Sequence, residues 1–381
     1  MAGTSFELAT PGRIVFGAGV AANAGPALTA RGAKRVLLVT GRSSSRGEEF
    51  RTRVNIAMVV RAIPGEPTLA MVEEGRALAI SEHCDAVVAL GGGSAIDAGK
   101  AIAALAGNQG DLLDYMEIVG KAQPLQRPGL PCIAIPTTAG TGAEVTKNSV
   151  LASTEAKVKA SLRSPYLLPT LALVDPDMLE GLPSAVLAPT GLDALSHLLE
   201  SFVSIRANAF TLALAKEGMV RIARSLRPAF EQDLTAERRE DLAVASLFGG
   251  LCLANSGLGA VHGFAAPLGG MWKAPHGAVC AALLPAVMRA NIAALRERAP
   301  QSPVLARYGE LNDLLAAGGD AVAWTAELTA ALGIPKLSAF GVQPSDVPLL
   351  VAKAKVASSM RGNPVVLTDD ELTTIVHESL A

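Results

Sequence analysis

The sequence predicts two domains: an α/β domain with a parallel sheet, followed by an all-helical domain. Its length of 381 residues suits two domains of ordinary size. Short apolar runs alternate with helix-like stretches in the first half, which is typical of an α/β domain, whereas no convincing strand follows Pro183. Pro176 and Pro183 break the elements between the two patterns. We therefore expect the domains to span residues 1–181 and 182–381.

The predicted strands are continuously apolar rather than alternating between apolar and polar residues. Both of their faces are therefore expected to be buried, as in a parallel sheet. Helix-like stretches at 69–84 and 95–106 lie between these runs. The strand-like runs are residues 35–40, 85–90, 131–136 and 171–174. In the second half, helical spacing is seen at 210–226, 236–253 and 322–332.

The composition excludes several classes of protein. Hydrophobic residues make up 50% of the chain and charged residues 18%, which excludes intrinsic disorder. A net charge of −2 without a basic stripe argues against a nucleic-acid partner. We expect a cytoplasmic protein, because no signal peptide is evident at the N-terminus. The cysteines are far apart and form no C-x-x-C pair, which argues against a disulfide scaffold and a thiolate zinc site. They are Cys84, Cys132, Cys252 and Cys280.

One uncharged stretch is long enough to span a membrane. Residues 242–272 contain no Asp, Glu, Lys or Arg over 31 positions. The stretch is interrupted by seven glycines, by Pro267 and by His262. A lipid-exposed helix would leave such a broken backbone without hydrogen bonds, so we predict buried helices and no membrane partner.

Two glycine-rich loops follow predicted strands. Gly91-Gly92-Gly93-Ser94 lies between a strand and a helix, where free N–H groups at the helix start suit a phosphate. Ile96 replaces the last glycine of the G-x-G-x-x-G pattern, so this loop is equally typical of a plain βα turn. The second loop, 137–142, contains three threonines and two glycines. Loops at neighbouring strand ends form a ligand crevice, so together they predict a phosphate-bearing cofactor.

The loop after the strand 35–40 bears on the kind of dinucleotide. NAD-binding domains often carry an acid there that binds the ribose hydroxyls. Here Gly41 is followed by Arg42 and Arg46 and no acid. Guanidinium groups suit a 2′-phosphate, so the stretch favours NADP, although it is also typical of an ordinary solvated loop.

Three of the five histidines lie in apolar or glycine-rich surroundings. They are His197, His262 and His276, and Asp193 precedes His197 by four residues, on the same helix face. One carboxylate and three imidazoles suit Fe²⁺, Zn²⁺ or Mn²⁺, with no thiolate at hand to bias the choice. The same residues have ordinary interpretations. Asp193 suits a capping box with Thr190, and each histidine suits a hydrogen-bonded core position.

These motifs, taken in order, resemble the iron-containing (group III) alcohol dehydrogenase family. The resemblance extends from residues 10–17 to 362–364, and its most telling pieces are 91–97, 136–146, 190–200 and 257–285. It implies a Rossmann-like N-terminal domain and a helical C-terminal domain, the fold shared with dehydroquinate synthase. It also implies an NAD(P) cofactor in the cleft between the domains, and interconversion of aldehydes or ketones with alcohols.

The resemblance assigns roles to individual residues. The metal ligands would be Asp193, His197, His262 and His276, and of these His262 and His276 would also be catalytic. The cofactor would contact the loop residues together with an acid and a lysine. These are Gly41, Gly92, Gly93, Ser94, Asp97, Thr137, Thr138, Thr141 and Lys159. The expected partners are a small alcohol, aldehyde or ketone and further copies of the chain, as a homodimer or larger homo-oligomer.

One departure from the family pattern concerns the proton path. Many members carry a further histidine four residues after the third ligand, where this chain has Ala266. A branch of the family reduces maleylacetate, a carboxylated ketone, so a reductase of that type without a strict metal requirement is an alternative. A lyase resembling dehydroquinate synthase and a non-enzymatic binding module are further alternatives.

Overall fold

The computed structural model describes residues 5–42, 45–156 and 158–380, which form two compact units. The sheet unit comprises Ala9–Glu180. The helical unit comprises residues 5–8 and 181–380 of the described chain. Ser43 and Ser44, in the loop that favours NADP, lie outside the described residues.

A six-stranded parallel sheet forms the centre of the sheet unit. Its strand order is β1-β8-β5-β4-β2-β3. The four predicted strands occupy the middle of the sheet, where both faces are covered and their side chains are almost entirely buried. The strands are β1 (Ile14–Phe16), β2 (Arg35–Thr40), β3 (Ala57–Ala62), β4 (Ala86–Gly91), β5 (Cys132–Pro136) and β8 (Leu171–Val174).

The two edge strands and an additional hairpin were not predicted. β1 has only three residues, and β3 is partly exposed along its length. β6 (Asn148–Ser153) and β7 (Val158–Arg163) pair antiparallel and form a separate two-stranded sheet beside the predicted parallel one. The inward positions of β6 include Ser149 and Ser153 beside Leu151, and these polar residues weaken the apolar alternation by which a strand is recognised.

The helices of the sheet unit cover both faces of the sheet, with a separate apolar cluster on each face. The predicted helix at 69–84 ends earlier, at Ser81, because the backbone reaches a left-handed conformation at His83 (φ 52°). Gly99 brings its helix close to β4, since a Cβ there would lie 2.6 Å from the Ala89 Cβ. The helices are α1 (Ala24–Ala30), α2 (Ser45–Arg53), α3 (Leu69–Ser81), α4 (Gly93–Ala106) and α5 (Leu112–Tyr115).

The helical unit contains no strand among the described residues 181–380. Helices α6, α7, α8 and α10 pack against one another to form its core. Their bounds are α6 (Ser184–Val203), α7 (Ala209–Glu231), α8 (Ala236–Ser256), α9 (Ala260–Met271), α10 (His276–Arg298), α11 (Pro303–Ala316), α12 (Ala321–Ala331), α13 (Val347–Val356) and α14 (Asp369–Leu380).

The uncharged stretch 242–272 forms the end of α8 and all of α9. The two helices meet at 100°, and most of their residues are buried. Among the described residues, α10 is by itself long and apolar enough to cross a membrane, and 78% of its most apolar window is buried inside the protein. These helices therefore form the core of the unit, as predicted for residues 242–272.

Candidate functional site

Helix α6 carries the acidic end of the predicted metal cluster. The helix begins at Ser184, so Thr190 lies inside it and its hydroxyl donates to the Val186 carbonyl at 2.8 Å. The capping-box interpretation of Asp193 is therefore wrong. Asp193 and His197, spaced by four residues, lie on the same face of this helix. The fold brings the carboxylate and the first imidazole together within one element.

The Asp193 carboxylate is at the centre of the cluster. The residue is only 1% exposed, and its Oδ1 accepts no hydrogen bond. Oδ1 lies 3.5 Å from Nε2 of His262 and 3.5 Å from Nε2 of His276. Nε2 of His197 is 4.0 Å away, and its ring stacks on that of His262 with centroids 4.7 Å apart. Asp193, His262 and His276 thus belong to one group of close ligand atoms, and His197 lies beside it.

The start of α9 is held by acceptors from α6 and from the segment between α13 and α14. Glu200 Oε1 accepts a hydrogen bond from the Val261 N–H at 2.7 Å, and Asn363 Oδ1 accepts one from the Ala260 N–H at 3.1 Å. Gly259 is required here, because a Cβ would lie within 2.9 Å of both acceptor oxygens. These bonds satisfy free N–H groups of the helix and set the position of His262, its third residue.

Glu200 also orients the His262 ring. Its Oε2 lies 2.7 Å from Nδ1 of His262. The carboxylate accepts a hydrogen bond from Nδ1, and the ring orientation that this fixes places Nε2 3.5 Å from Asp193 Oδ1. Carboxylates commonly fix metal-binding histidines in this way. Sequence analysis did not assign this role to Glu200. Its spacing of seven residues from Asp193, two helical turns on the same face, is the signal that could have found it.

The first turn of α10 supplies the exposed side of the cluster. Gly277 allows α10 to approach α6 closely, since a Cβ there would lie 2.3 Å from the Pro189 carbonyl oxygen. The neighbouring His276 has a side chain that is 36% exposed, whereas the side chains of His262 and Asp193 are 5% and 2% exposed. The cluster is therefore open to a small molecule on the side of His276.

A thiol also belongs to the cluster. Cys280 follows His276 by one helical turn and is fully buried. Its Sγ lies 3.6 Å from Nε2 of His262 and 3.7 Å from Nε2 of His276. The expectation that no thiolate is at hand is therefore wrong. The cysteines are far apart in sequence, but the spacing of four between His276 and Cys280 was a usable signal.

The ionisable groups of the cluster shift one another's pKa. Burial alone would raise the pKa of Asp193, but the neighbouring imidazoles hold it well below its usual range. Burial tends to lower the pKa of His262, but Cys280, Asp193 and Glu200 raise it well above its usual value. Cys280 and Asp193 also raise the pKa of His276 against the effect of burial. The carboxylates and the imidazoles of this site therefore stabilise each other's charged forms.

The donor atoms fit a divalent metal ion. The ligand atoms of Asp193, His262, His276 and Cys280 all lie within 4.8 Å of one another. Two nitrogen or oxygen ligands of a tetrahedral zinc ion are about 3.4 Å apart, given bond lengths of about 2.05 Å. The observed separations of 3.5 Å from Asp193 Oδ1 match this value. A metal bound to Asp193 Oδ1 would explain why this buried oxygen accepts no hydrogen bond.

In the sheet unit, the two glycine loops lie side by side. Strand β5 is the neighbour of β4, with Gly91 opposite Pro136, and the Thr137 N–H donates to the Gly91 carbonyl at 2.9 Å. A Cβ on Gly92 would lie 3.2 Å from the Thr138 side chain. One on Gly93 would lie 2.7 Å from the Thr141 side chain. Ser94 follows in the first turn of α4. The two loops can approach each other this closely because glycine occupies positions 92 and 93.

Gly41 adjoins the first loop from the next strand. A Cβ on Gly91 would lie 3.2 Å from the Gly41 nitrogen. Beyond it, Arg42 Nε donates to the Pro64 carbonyl at 2.9 Å, and Arg46 donates to the Glu180 carbonyl. Both guanidinium groups thus have backbone partners within the sheet unit, so the NADP prediction gains no support from their contacts.

Asp97 and Lys159 have partners within the protein. Asp97 accepts a hydrogen bond from the Val150 N–H at 2.9 Å and lies 3.1 Å from Lys100 Nζ. Lys159 Nζ lies 3.0 Å from Glu66 Oε1. The fully buried Lys100 donates to the Ala143 carbonyl at 2.8 Å and holds the chain directly after the second glycine loop. In this structure Asp97 therefore supports the loop through Lys100.

The Glu200→Gln substitution tests the orientation of His262. The amide removes the negative charge that fixes the Nδ1 proton, so the zinc dissociation constant should rise about 10–100-fold. Competition with a chromophoric chelator measures it. Glu378→Gln is the matched control, because Glu378 pairs with Arg289 at an exposed site and should leave zinc affinity unchanged. An unaltered dissociation constant in Glu200→Gln would contradict the assigned role.

The Gly93→Ala substitution tests the glycine loops. The added Cβ would lie 2.7 Å from the Thr141 side chain and push the two loops apart. Dinucleotide affinity, measured by quenching of protein fluorescence, should fall by at least about tenfold if one phosphate contact worth about 1.5 kcal/mol is lost. Gly309→Ala is the control, since nothing lies within 4 Å of a Cβ there. Equal affinity in both variants would contradict a phosphate site at these loops.

Comparisons with known proteins identify the family of the chain. Residues 11–176 match the family model for iron-containing alcohol dehydrogenase, and residues 187–380 match that for the C-terminal part of the Fe-containing alcohol dehydrogenase family. The 1,3-propanediol dehydrogenase of Citrobacter freundii is 34% identical over 387 residues, covering 98% of each chain. The lactaldehyde reductase of Escherichia coli (strain K12) is 36% identical over 313 residues, covering 82% of this chain and 81% of the relative.

A solved structure extends the similarity to the whole fold. Sulfoacetaldehyde reductase from Bifidobacterium kashiwanohense, crystallised in complex with NAD⁺, is 27% identical with a TM-score of 0.87 and covers 100% of both chains. The predicted fold class, a Rossmann-like α/β domain and a helical domain, is confirmed. The chain therefore belongs to the iron-containing alcohol dehydrogenase family and is an oxidoreductase acting on alcohols.

Proposed function

We propose that the protein transfers a hydride reversibly between NAD(P)H and a small aldehyde or ketone, with the substrate oxygen held by a divalent metal. The observation that carries the proposal is the buried Asp193 oxygen, which accepts no hydrogen bond and lies 3.5 Å from two imidazole nitrogens. The family membership supplies the reaction class, and this donor set is what supports the metal.

Residues of the helical unit form the metal site and supply its negative charge. When bound, a divalent metal would polarise the substrate carbonyl and stabilise the alkoxide that develops during hydride transfer. Asp193, His262 and His276 would hold it, with His197 as the fourth ligand implied by the family resemblance. Glu200 keeps His262 in the orientation that binding requires. The exposed side of His276 admits the substrate.

The sheet unit supplies the cofactor site in this proposal. Free N–H groups at the start of α4 suit the pyrophosphate, and Gly92 and Gly93 allow it to come close to the backbone. The sulfoacetaldehyde reductase of similar structure was crystallised with NAD⁺, which supports the same class of cofactor here. Because no acid directly follows β2 to bind the ribose hydroxyls and exclude a 2′-phosphate, we propose that NADPH is accepted as well as NADH.

The substrate is proposed to be small, in line with the relatives' names, which specify 1,3-propanediol and lactaldehyde. Ala266, four residues after His262 on α9, offers no group for proton transfer. Protons are therefore proposed to pass through water or the cofactor ribose hydroxyls. We further propose a cytoplasmic homodimer or larger homo-oligomer, on the family resemblance and on four free cysteines.

The complete donor set favours this function over a metal-independent reductase of the maleylacetate type. The two are separated by measuring oxidation of NADH and NADPH with a panel of small aldehydes, before and after chelation. We expect net cofactor oxidation that is lost on chelation and restored by Fe²⁺ or Zn²⁺. Activity that persists without metal would overturn the metal role, and absence of net oxidation would favour a lyase.

Two substitutions of aspartate by asparagine test, in the same assay, whether the metal requirement depends on Asp193. Asp193→Asn removes the central buried charge, and we expect it to lose the metal and at least about 99% of the activity, a loss of about 2.7 kcal/mol or more in transition-state stabilisation. Asp313→Asn changes an exposed acid on α11 and should retain wild-type activity and metal content. Full activity of Asp193→Asn would contradict the proposed site.

A further inference from the structure

The motif at residues 362–364, where the family resemblance ends in the sequence, has no part in the proposed function. It completes a segment between α13 and α14 that begins with a turn of 3₁₀ helix, Ser358–Gly362. Asn363 is only 7% exposed, and its side chain contacts the start of α9 although Ala260 lies 103 positions earlier in the chain. A buried amide needs partners for its donor and acceptor atoms, so its contacts show what the segment holds.

The Asn363 amide makes every hydrogen bond that its two donors and two acceptor sites allow. Its Oδ1 accepts one from the Ala260 N–H at 3.1 Å and one from Nδ2 of Asn291 at 3.2 Å. Its Nδ2 donates to Oδ1 of Asn291 at 2.7 Å and to the Val365 carbonyl at 2.8 Å. A buried polar network that is fully satisfied in this way rigidifies the groups that it joins.

This amide joins the two helices that carry later members of the proposed ligand set. Ala260 is the first residue of α9, which carries His262, and Asn291 lies on α10, which carries His276. The two asparagines each donate to and accept from the other, so the pair fixes the orientation as well as the distance of its partners. The Asn363 amide therefore ties the start of α9 to α10.

The same segment is also joined to α6, the helix of the other two proposed ligands. The Gly362 carbonyl accepts a hydrogen bond from the Ile205 N–H at 3.2 Å, just beyond the end of α6. A Cβ on Gly362 would lie 2.1 Å from the Leu258 carbonyl oxygen, so only glycine allows the segment to lie against the turn between α8 and α9. Residues 362 and 363 thus contact α10, the start of α9 and the chain just after α6.

We propose that Asn363 is a positioning residue for the metal site: its amide holds α9 against α10, so that His262 faces Asp193 before a metal binds. This rests on the proposed function in that a divalent metal occupies the site. A ligand that is already ordered loses less conformational freedom on binding, which strengthens the affinity. Loss of the Asn363 amide should therefore weaken metal binding in a chain that still folds.

The Asn363→Ala substitution tests this role through zinc affinity, measured by competition with a chromophoric chelator. The zinc dissociation constant should rise about 10–100-fold, as is usual when a group that supports a metal ligand is removed. Asn312→Ala is the matched control. Asn312 Oδ1 accepts the N–H of Ala321 at the start of α12 at 3.0 Å, which is the same kind of contact in the same unit. Both variants should melt at a lower temperature, but Asn312→Ala should keep the wild-type dissociation constant.

A double variant tests whether the two asparagines act as one pair. Asn291→Ala removes the other side of the pair and should also weaken zinc binding. Because Asn291 acts through Asn363, the double variant should bind zinc no more weakly than Asn363→Ala alone. Losses of binding free energy that add independently would overturn the role of the pair.

The outcomes separate this inference from the proposed function. If the wild-type protein binds zinc and Asn363→Ala binds it equally well, or no more weakly than Asn312→Ala does, the positioning role is overturned and the metal site stands. A wild-type protein that binds no zinc would overturn both. If Asn363→Ala does not fold, hydrogen exchange in the wild-type protein decides the matter. Because coupling between sites is reciprocal, zinc should slow exchange in residues 358–365, and unchanged exchange there would overturn the proposal.

Discussion

The structure of the helical unit depends on the buried charge of Asp193. An ionised carboxylate that is 1% exposed is stable only if positive charge meets it. Helices α9 and α10 bring His262 and His276 to one of its oxygens. Gly277 allows the close approach of α10 that this requires. A divalent cation is the group that best satisfies such a cluster, and in the proposed function it would polarise the substrate carbonyl.

Each unit holds its site through a buried charged side chain that belongs to the supporting structure. In the helical unit, Glu200 accepts the Val261 N–H and the His262 Nδ1 proton, and so fixes both helix and ring. In the sheet unit, Lys100 bonds to Asp97 and to the Ala143 carbonyl after the second glycine loop. Burying such charged groups costs free energy, and here each of them is hydrogen-bonded to residues that form the site.

The sequence was most informative where local pattern decides the structure. The four middle strands were predictable because continuous apolar runs require burial on both faces. Hairpin β6–β7 was not, because Ser149 and Ser153 point inward. His197, His262 and His276 could be singled out by their apolar surroundings. The contact between Cys280 and His262, in contrast, depends on α9, which brings the His262 ring to the Cys280 sulfur. Contacts between separate helices are set by tertiary packing and are not visible in a linear pattern.

Anomalous diffraction from crystals of the metal-loaded protein, collected at the absorption edge of the metal, would show whether the ion binds at Asp193. We expect one anomalous peak within bonding distance of Asp193 Oδ1, His262 Nε2 and His276 Nε2. A fully loaded protein with its peak elsewhere, or with the Asp193 carboxylate hydrogen-bonded instead to the imidazoles, would contradict it.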